Sequence, residues 1–193
     1  MNIFFTKIQR KYAYSDYQIA QLKYLFHSIA TESSKFFLIG GFFLYLDKFV
    51  SFIIASFVLA TLRVSSGGIH FYRYVYCLGF SFFYLLLSVQ LLPLIPTARS
   101  VEIGSLLLCI VICSRCEPVV SKYRSPLSLS RKRKCIKRLC GLLIIYTGLL
   151  LIIPYSQIHP VCFWVIVLHT IQLTISNFLF KKGKKTYELC NDL

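Results

Sequence analysis

Acidic residues are scarce: 7 Asp or Glu stand against 22 Lys or Arg in 193 residues, a balance of 22 − 7 = +15. Charge of either sign is sparse too, at 15% of the chain, where a soluble domain carries about a quarter. The sequence holds no P-loop, no Gly-x-Ser-x-Gly elbow and no paired His-Glu metal motif, so the phosphate, serine-hydrolase and zinc-peptidase chemistries those motifs support are not expected. The 8 cysteines are too dilute for a secreted disulfide scaffold. What is abundant is apolar surface, 56% hydrophobic and 16% aromatic residues, and that content excludes disorder. Surplus positive charge on such a chain marks either a nucleic-acid footprint or the basic loops of a membrane protein. The placement of the charges decides between them.

The basic residues fall between apolar runs. Lys7, Arg10, Lys11 and Lys23 lie near the N-terminus; Arg115, Lys122, Arg124 and the cluster from Arg131 to Arg138 fill the centre; Lys181, Lys182, Lys184 and Lys185 follow the last apolar run. Runs 74–95, 101–113, 139–153 and 161–180 are nearly free of charge, and the first and last reach the roughly 20 residues that cross a bilayer. Runs 36–46 and 49–62, separated only by Asp47-Lys48, either cross as a tight hairpin or re-enter. With the N-terminus inside, six crossings put 63–73, 115–138 and the C-terminal tail inside, and leave only Lys48 and Arg99 in the outer loops. That asymmetry obeys the positive-inside rule.

The expectation is therefore an all-α integral membrane protein with about six transmembrane or partly re-entrant helices, both termini cytoplasmic and no nucleic-acid partner. Lys7, Arg10 and Lys11 are followed by polar residues rather than an apolar core, so no signal peptide is expected. From Ser15, a plausible N-cap, Ile19, Leu22, Leu25, Phe26 and Ile29 recur at helical spacing, which predicts an amphipathic helix on the inner membrane face. One membrane domain over 1–193 is the economical reading: a cytoplasmic-face segment 1–32, a helical bundle 33–180 with a basic loop 115–138, and a basic tail 181–193.

Polar groups at membrane depth are costly and so are functional candidates. The densest stretch is Arg63-Val64-Ser65-Ser66-Gly67-Gly68-Ile69-His70-Phe71-Tyr72-Arg73, with Cys77 just beyond. Gly67-Gly68 disfavours continuous helix and frees backbone N–H groups. Cys77 and His70 read as nucleophile and base. Seven residues advance a helix by about 10.5 Å, so a dyad requires His70 to lie in a break before the helix that carries Cys77. The competing reading of the same residues is a small buried thiol and a wetted boundary His. Cys109, Cys113, Cys116, Cys135 and Cys140 lack paired zinc-ligand spacing, and neither a metal nor a cofactor is expected. Asp47 and Glu102 read as solvated boundary charges, and His169 and Gln172 as helix–helix hydrogen-bonding groups.

The string Leu62-Arg63-x-x-x-Gly67-Gly68-x-His70, then six residues and Cys77, resembles the signature of the accessory gene regulator B family, membrane cysteine endopeptidases that process bacterial quorum-sensing pro-peptides. Glu32 and Lys35 ahead of the first span, and Pro118 and Ser125-Pro126-Leu127 ahead of a basic run, fit the same pattern. Phe71 after the His and Glu117 before Pro118 depart from it, since small residues are usual at both places. The resemblance implies that Cys77 attacks the scissile carbonyl and His70 acts as general base, then acid. Arg63, Gly67 and Gly68 would support the substrate or oxyanion, with Glu32 as an acidic candidate beside them. It further implies a short substrate similar to accessory gene regulator D, a thiolactone or lactone product, a lipid bilayer around the protein, a homodimer, and a site on the cytoplasmic side of the cell membrane. A small transporter or export partner, and a scaffold whose basic loop recruits an acidic protein, are the competing readings.

Overall fold

The computed structural model describes residues 2–67, 73–119, 128–152, 156 and 158–181. Among these, seven α-helices carry the chain and no strand occurs: α1 (Asn2–Tyr12), α2 (Asp16–Tyr45), α3 (Phe49–Ser66), α4 (Tyr74–Leu86), α5 (Arg99–Arg115), α6 (Leu129–Ile152) and α7 (Ile158–Lys181). Backbone packing divides the chain into two units, Met1–Phe42 and Phe43–Leu193.

In the first unit, α2 begins where Ser15 predicts. The Gln18 N–H donates to Ser15 Oγ at 3.3 Å and the Ser15 N–H donates to Gln18 Oε1 at 2.9 Å, a reciprocal capping box. Leu25, Phe26 and Ile29 are exposed, the apolar face an interfacial helix needs. Helix α2 runs on unbroken across residue 32 to Tyr45. The polar stretch Thr31–Lys35 stays helical by local satisfaction. Thr31 Oγ1 donates to the His27 and Ser28 carbonyls, Ser34 Oγ donates to the Thr31 carbonyl, and Glu32 pairs with Lys35 one turn on.

The second unit opens with a tight turn. Asp47 takes φ 53°, a left-handed conformation Asp tolerates. Lys48 N–H donates to the Phe43 carbonyl at 2.9 Å, and the Phe43 and Phe52 rings stack across the turn at 5.3 Å. Helix α7 packs against α3 and α5, and α6 packs against the same two helices. Phe52, Leu62, Leu143, Val165 and Ile166 form the sealed interior, while Phe57, Ile144, Ile152 and Ile175 point outward. In water such a surface would be an association patch; in a bilayer it is the lipid face. Polar groups staple the helices from within: Thr61 and Tyr146 hydroxyls lie 2.7 Å apart, and Tyr84 donates to the Val165 carbonyl at 2.8 Å.

Among the described residues, four helical stretches are long and apolar enough to cross a membrane: Phe49–Ser66, Tyr74–Leu94, Leu129–Ile152 and Ile158–Phe178. Helix α5 has 17 residues, about 26 Å of helix, slightly short of a roughly 30 Å hydrocarbon core. Past Leu86 the second span passes through a π-turn, Leu87–Leu91, and a 3-10 turn, Leu92–Leu94. Pro93 explains both, since it lacks an N–H and its ring clashes with the preceding turn. Helix α6 starts earlier than expected. Ser128 Oγ accepts the Arg131 N–H at 3.4 Å, so the cluster from Arg131 to Arg138, expected in a loop, instead forms the first turns of the helix. Lys and Arg are good helix formers, and nothing between Leu129 and Leu139 interrupts them.

Glu102 corrects another expectation. It is 1% exposed, not solvated, because its carboxylate is gathered in at the start of α5. Thr97 Oγ1 donates to Oε1 at 2.7 Å, and Oε2 lies 3.5 Å from Arg99 Nη1 and 3.8 Å from His159 Nδ1. Arg99 also donates to the Leu150 carbonyl at 2.6 Å. This cluster ties α5, the end of α6 and the start of α7 at one end of the second unit. Asp47, by contrast, is exposed, as expected.

Candidate functional site

The opposite end of that unit brings together the end of α3, the residues after α5, the first turns of α6 and the end of α7. Helix α3 stops at Ser66, and Gly67 closes it with φ 74° and ψ −166° while its N–H donates to the Arg63 carbonyl at 2.8 Å. That region of backbone space is essentially reserved for glycine. A second constraint acts on the same residue: a Cβ there would sit 1.9 Å from the Val119 carbonyl oxygen. Val119 approaches because its N–H donates to the Ser66 carbonyl at 2.8 Å. The extended segment after α5 is thus laid against the end of α3, and only a residue without a side chain fits between them. Because the Gly67 N–H closes α3, the residue serves here as a turn and a close approach.

Helix resumes at Tyr74, with Arg73 extended at φ −89° and ψ 131° as its N-cap. Helix α3 thus closes at Gly67 and α4 begins after Arg73. His70 and Gly68 lie outside the described residues. Cys77 stands in the first turn of α4, its N–H on the Arg73 carbonyl at 3.3 Å, and its thiol is half-buried and outside any disulfide. The first turn of a helix presents unpaired N–H groups and the positive end of the peptide dipoles. Negative charge developing on sulfur or on an attacked carbonyl is favoured at such a place.

Arg63 stands one turn before Gly67. Its Nη2 donates to Gln172 Oε1 at 3.4 Å, and its guanidinium lies 5.7 Å from the Tyr84 ring centroid. It is half-buried and turned toward α4 and α7. Glu32 is exposed on α2 and pairs with Lys35, which is itself 4% exposed. Two features escaped sequence reasoning. Ser66, read only as part of the polar stretch, is sealed and lies 3.0 Å from His169 Nε2. Asn177 brackets Glu117, accepting its N–H at 2.8 Å and donating to its carbonyl at 3.0 Å, while the Glu117 carboxylate pairs with Lys132 at 2.6 Å. Small-residue and Asn positions on a buried helix face carry no periodic signal that distinguishes them.

Among the described residues no three His, Cys, Asp or Glu side chains converge as a metal site would require. Cys113 is engaged instead with Thr170, its sulfur 3.5 Å from the hydroxyl between α5 and α7. No curated protein and no solved structure matches the chain. The family model for accessory gene regulator B matches residues 1–173, spanning the Gly-Gly break, Cys77 and six of the seven helices in full. With that match covering most of its length, the chain belongs to the accessory gene regulator B family and takes part, as a membrane protein, in the processing of quorum-sensing pro-peptides.

Proposed function

We propose that the protein is a membrane-embedded cysteine endopeptidase that removes the C-terminal tail of a short pro-peptide and closes the remaining segment into a ring. The observation that carries this reading is that helix α3 closes at Gly67 and α4 starts only after an extended Arg73, with the half-buried thiol of Cys77 in the first turn of α4. His70, within that break in sequence, takes the Cys77 proton as sulfur bonds to the scissile carbonyl carbon. The tetrahedral intermediate then expels the tail amine, which leaves with the proton held by His70. A Cys or Ser hydroxyl or thiol within the peptide next attacks the thioester. Cys77 departs as thiolate and recovers the proton lost by the attacking group, and a thiolactone or lactone is released without consumption of water.

Ring closure competes with hydrolysis, and a site at a lipid boundary favours closure because it limits water around the thioester. Arg63 assists as a fixed positive charge for the substrate carboxylate or the oxyanion. Gly67 contributes the turn, and Gly68 is the candidate for an oxyanion N–H. The ends of α3, α5 and α7 and the start of α6 face the cytoplasm, both termini lie on that side, and the working form is a homodimer.

Co-expression with an acidic-tailed pro-peptide tests the chemistry. Native protein yields the shortened ring, whereas Cys77→Ala and His70→Ala leave the peptide full-length by mass spectrometry. Processing that persists in Cys77→Ala removes the mechanism, and a covalent peptide adduct mapped to another cysteine reassigns the nucleophile.

A further inference from the structure

We infer that His169 is a positioning residue for the Gly67 turn and acts through Ser66; the inference rests on the peptidase reading above. His169 lies on α7, 2% exposed, with Nε2 3.0 Å from Ser66 Oγ. The hydroxyl has a single proton, and the Leu62 and Gly67 carbonyls lie within 2.9 Å and 3.0 Å of it. Donor accounting then assigns the imidazole. His169 donates from Nε2–H to Ser66 Oγ, which leaves the hydroxyl proton for the carbonyls of the turn. In that tautomer Nδ1, which has no partner among the described residues, is a bare acceptor and not a buried unpaired donor.

The peptide unit joining Ser66 and Gly67 is consequently held from three directions. The Gly67 N–H is on the Arg63 carbonyl, the Ser66 carbonyl receives the Val119 N–H, and the Ser66 side chain is fixed by His169. Helix α7 also sets the second of these supports. Asn177, two turns past His169, clamps Glu117 on both sides and so places the segment that reaches Val119. In sequence, His70 lies three residues past Gly67 and Cys77 ten. His169 itself is sealed and its Nε2 is committed to Ser66, so it holds the turn and does not touch substrate. Reacting groups displaced by about 1 Å lose on the order of 10²-fold in rate, so loosening this peptide unit slows the chemical step more than it weakens binding.

The full chain in lipid vesicles, with a synthetic acidic-tailed pro-peptide, tests this through the rate of Cys77 acylation in a single turnover and through KM. His169→Leu and Ser66→Ala are each expected to acylate about 10- to 100-fold more slowly, with KM within about twofold of native. His169→Gln, which keeps an N–H in reach of Ser66, should recover to within about threefold of native, and the double variant should be no slower than the slower single. Native rates in both single variants overturn the inference. So does a Gln variant as slow as Leu at equal folded amount, or a double variant whose losses multiply. If His169→Leu fails to fold, Ser66→Ala, which removes one oxygen, carries the same comparison with His169→Gln. Cys77→Ala separates the two readings: processing that survives it removes the peptidase itself. A dead Cys77→Ala beside a full-speed Ser66→Ala overturns only the role of His169.

Discussion

At Gly67 two independent constraints coincide, a backbone conformation of φ 74° and ψ −166° and a carbonyl oxygen 1.9 Å from where a Cβ would stand. The backbone alone costs alanine about 1–3 kcal/mol, and the oxygen belongs to main chain that cannot rotate away. Gly67→Ala is expected to lower the thermal midpoint in detergent and to abolish ring formation together, because the Val119 segment must retreat from the turn. Glu102 makes the contrasting case. Its carboxylate is buried beside Arg99 and His159, so Glu102→Ala leaves buried polar groups short of a partner at a cost of about 2 kcal/mol. Glu102→Gln, which keeps an acceptor for Thr97, should cost less. Since this cluster sits at the end of the unit away from Cys77, both variants are expected to process peptide at the native rate per folded molecule, measured against a thermal melt of the same preparation. The Gly67 turn was legible from adjacent glycines. The burial of Glu102 was not, because His159 is 57 residues away and no local pattern announces it.

Helix boundaries were readable where one local signal governs them. Ser15 with Gln18 makes the start of α2, and Ser15→Ala should remove about 1 kcal/mol from it. Amide exchange at Gln18 and Ile19 should quicken by roughly fivefold, with residues beyond the third turn unchanged. The start of α4 at Tyr74 was equally plain, since charge gives way to an apolar run at that residue. The continuity of α2 was hidden because the polar residues of Thr31–Lys35 interrupt the apolar spacing. Its hydroxyls bond back to the helix and its ion pair spans one turn, so the polarity interrupts the apolar pattern without interrupting the helix. The early start of α6 was hidden for a related reason: positive charge reports the side of the membrane, not the local backbone conformation.

On the scale of the whole molecule, charge is concentrated at one end of the second unit. Arg115, Lys132 and the first turns of α6 lie with the end of α3 and the Gly67 turn, and Lys132 already holds Glu117. An acidic peptide tail is drawn to such a surface, with a range set by a Debye length of about 8 Å at physiological salt. Replacing Arg131, Arg133, Lys134 and Lys137 together by Gln should raise KM for an acidic-tailed peptide several-fold at low salt. The rate of acylation should stay as it was, and the two KM values should converge as salt rises. Equal KM values at low salt would show that the tail is recognised elsewhere.

Membrane residence, helical class, the basic face and the Arg63 to Cys77 string follow from the linear order of residues, because hydropathy, charge and glycine act over a few positions. The approach of Val119 to Gly67, the Ser66–His169 pair separated by 103 residues, and the sealed Glu102 cluster arise only when α3, α5, α6 and α7 pack together. A buried polar group must find a partner wherever the fold supplies one, and which helix supplies it is a property of packing that no stretch of sequence contains.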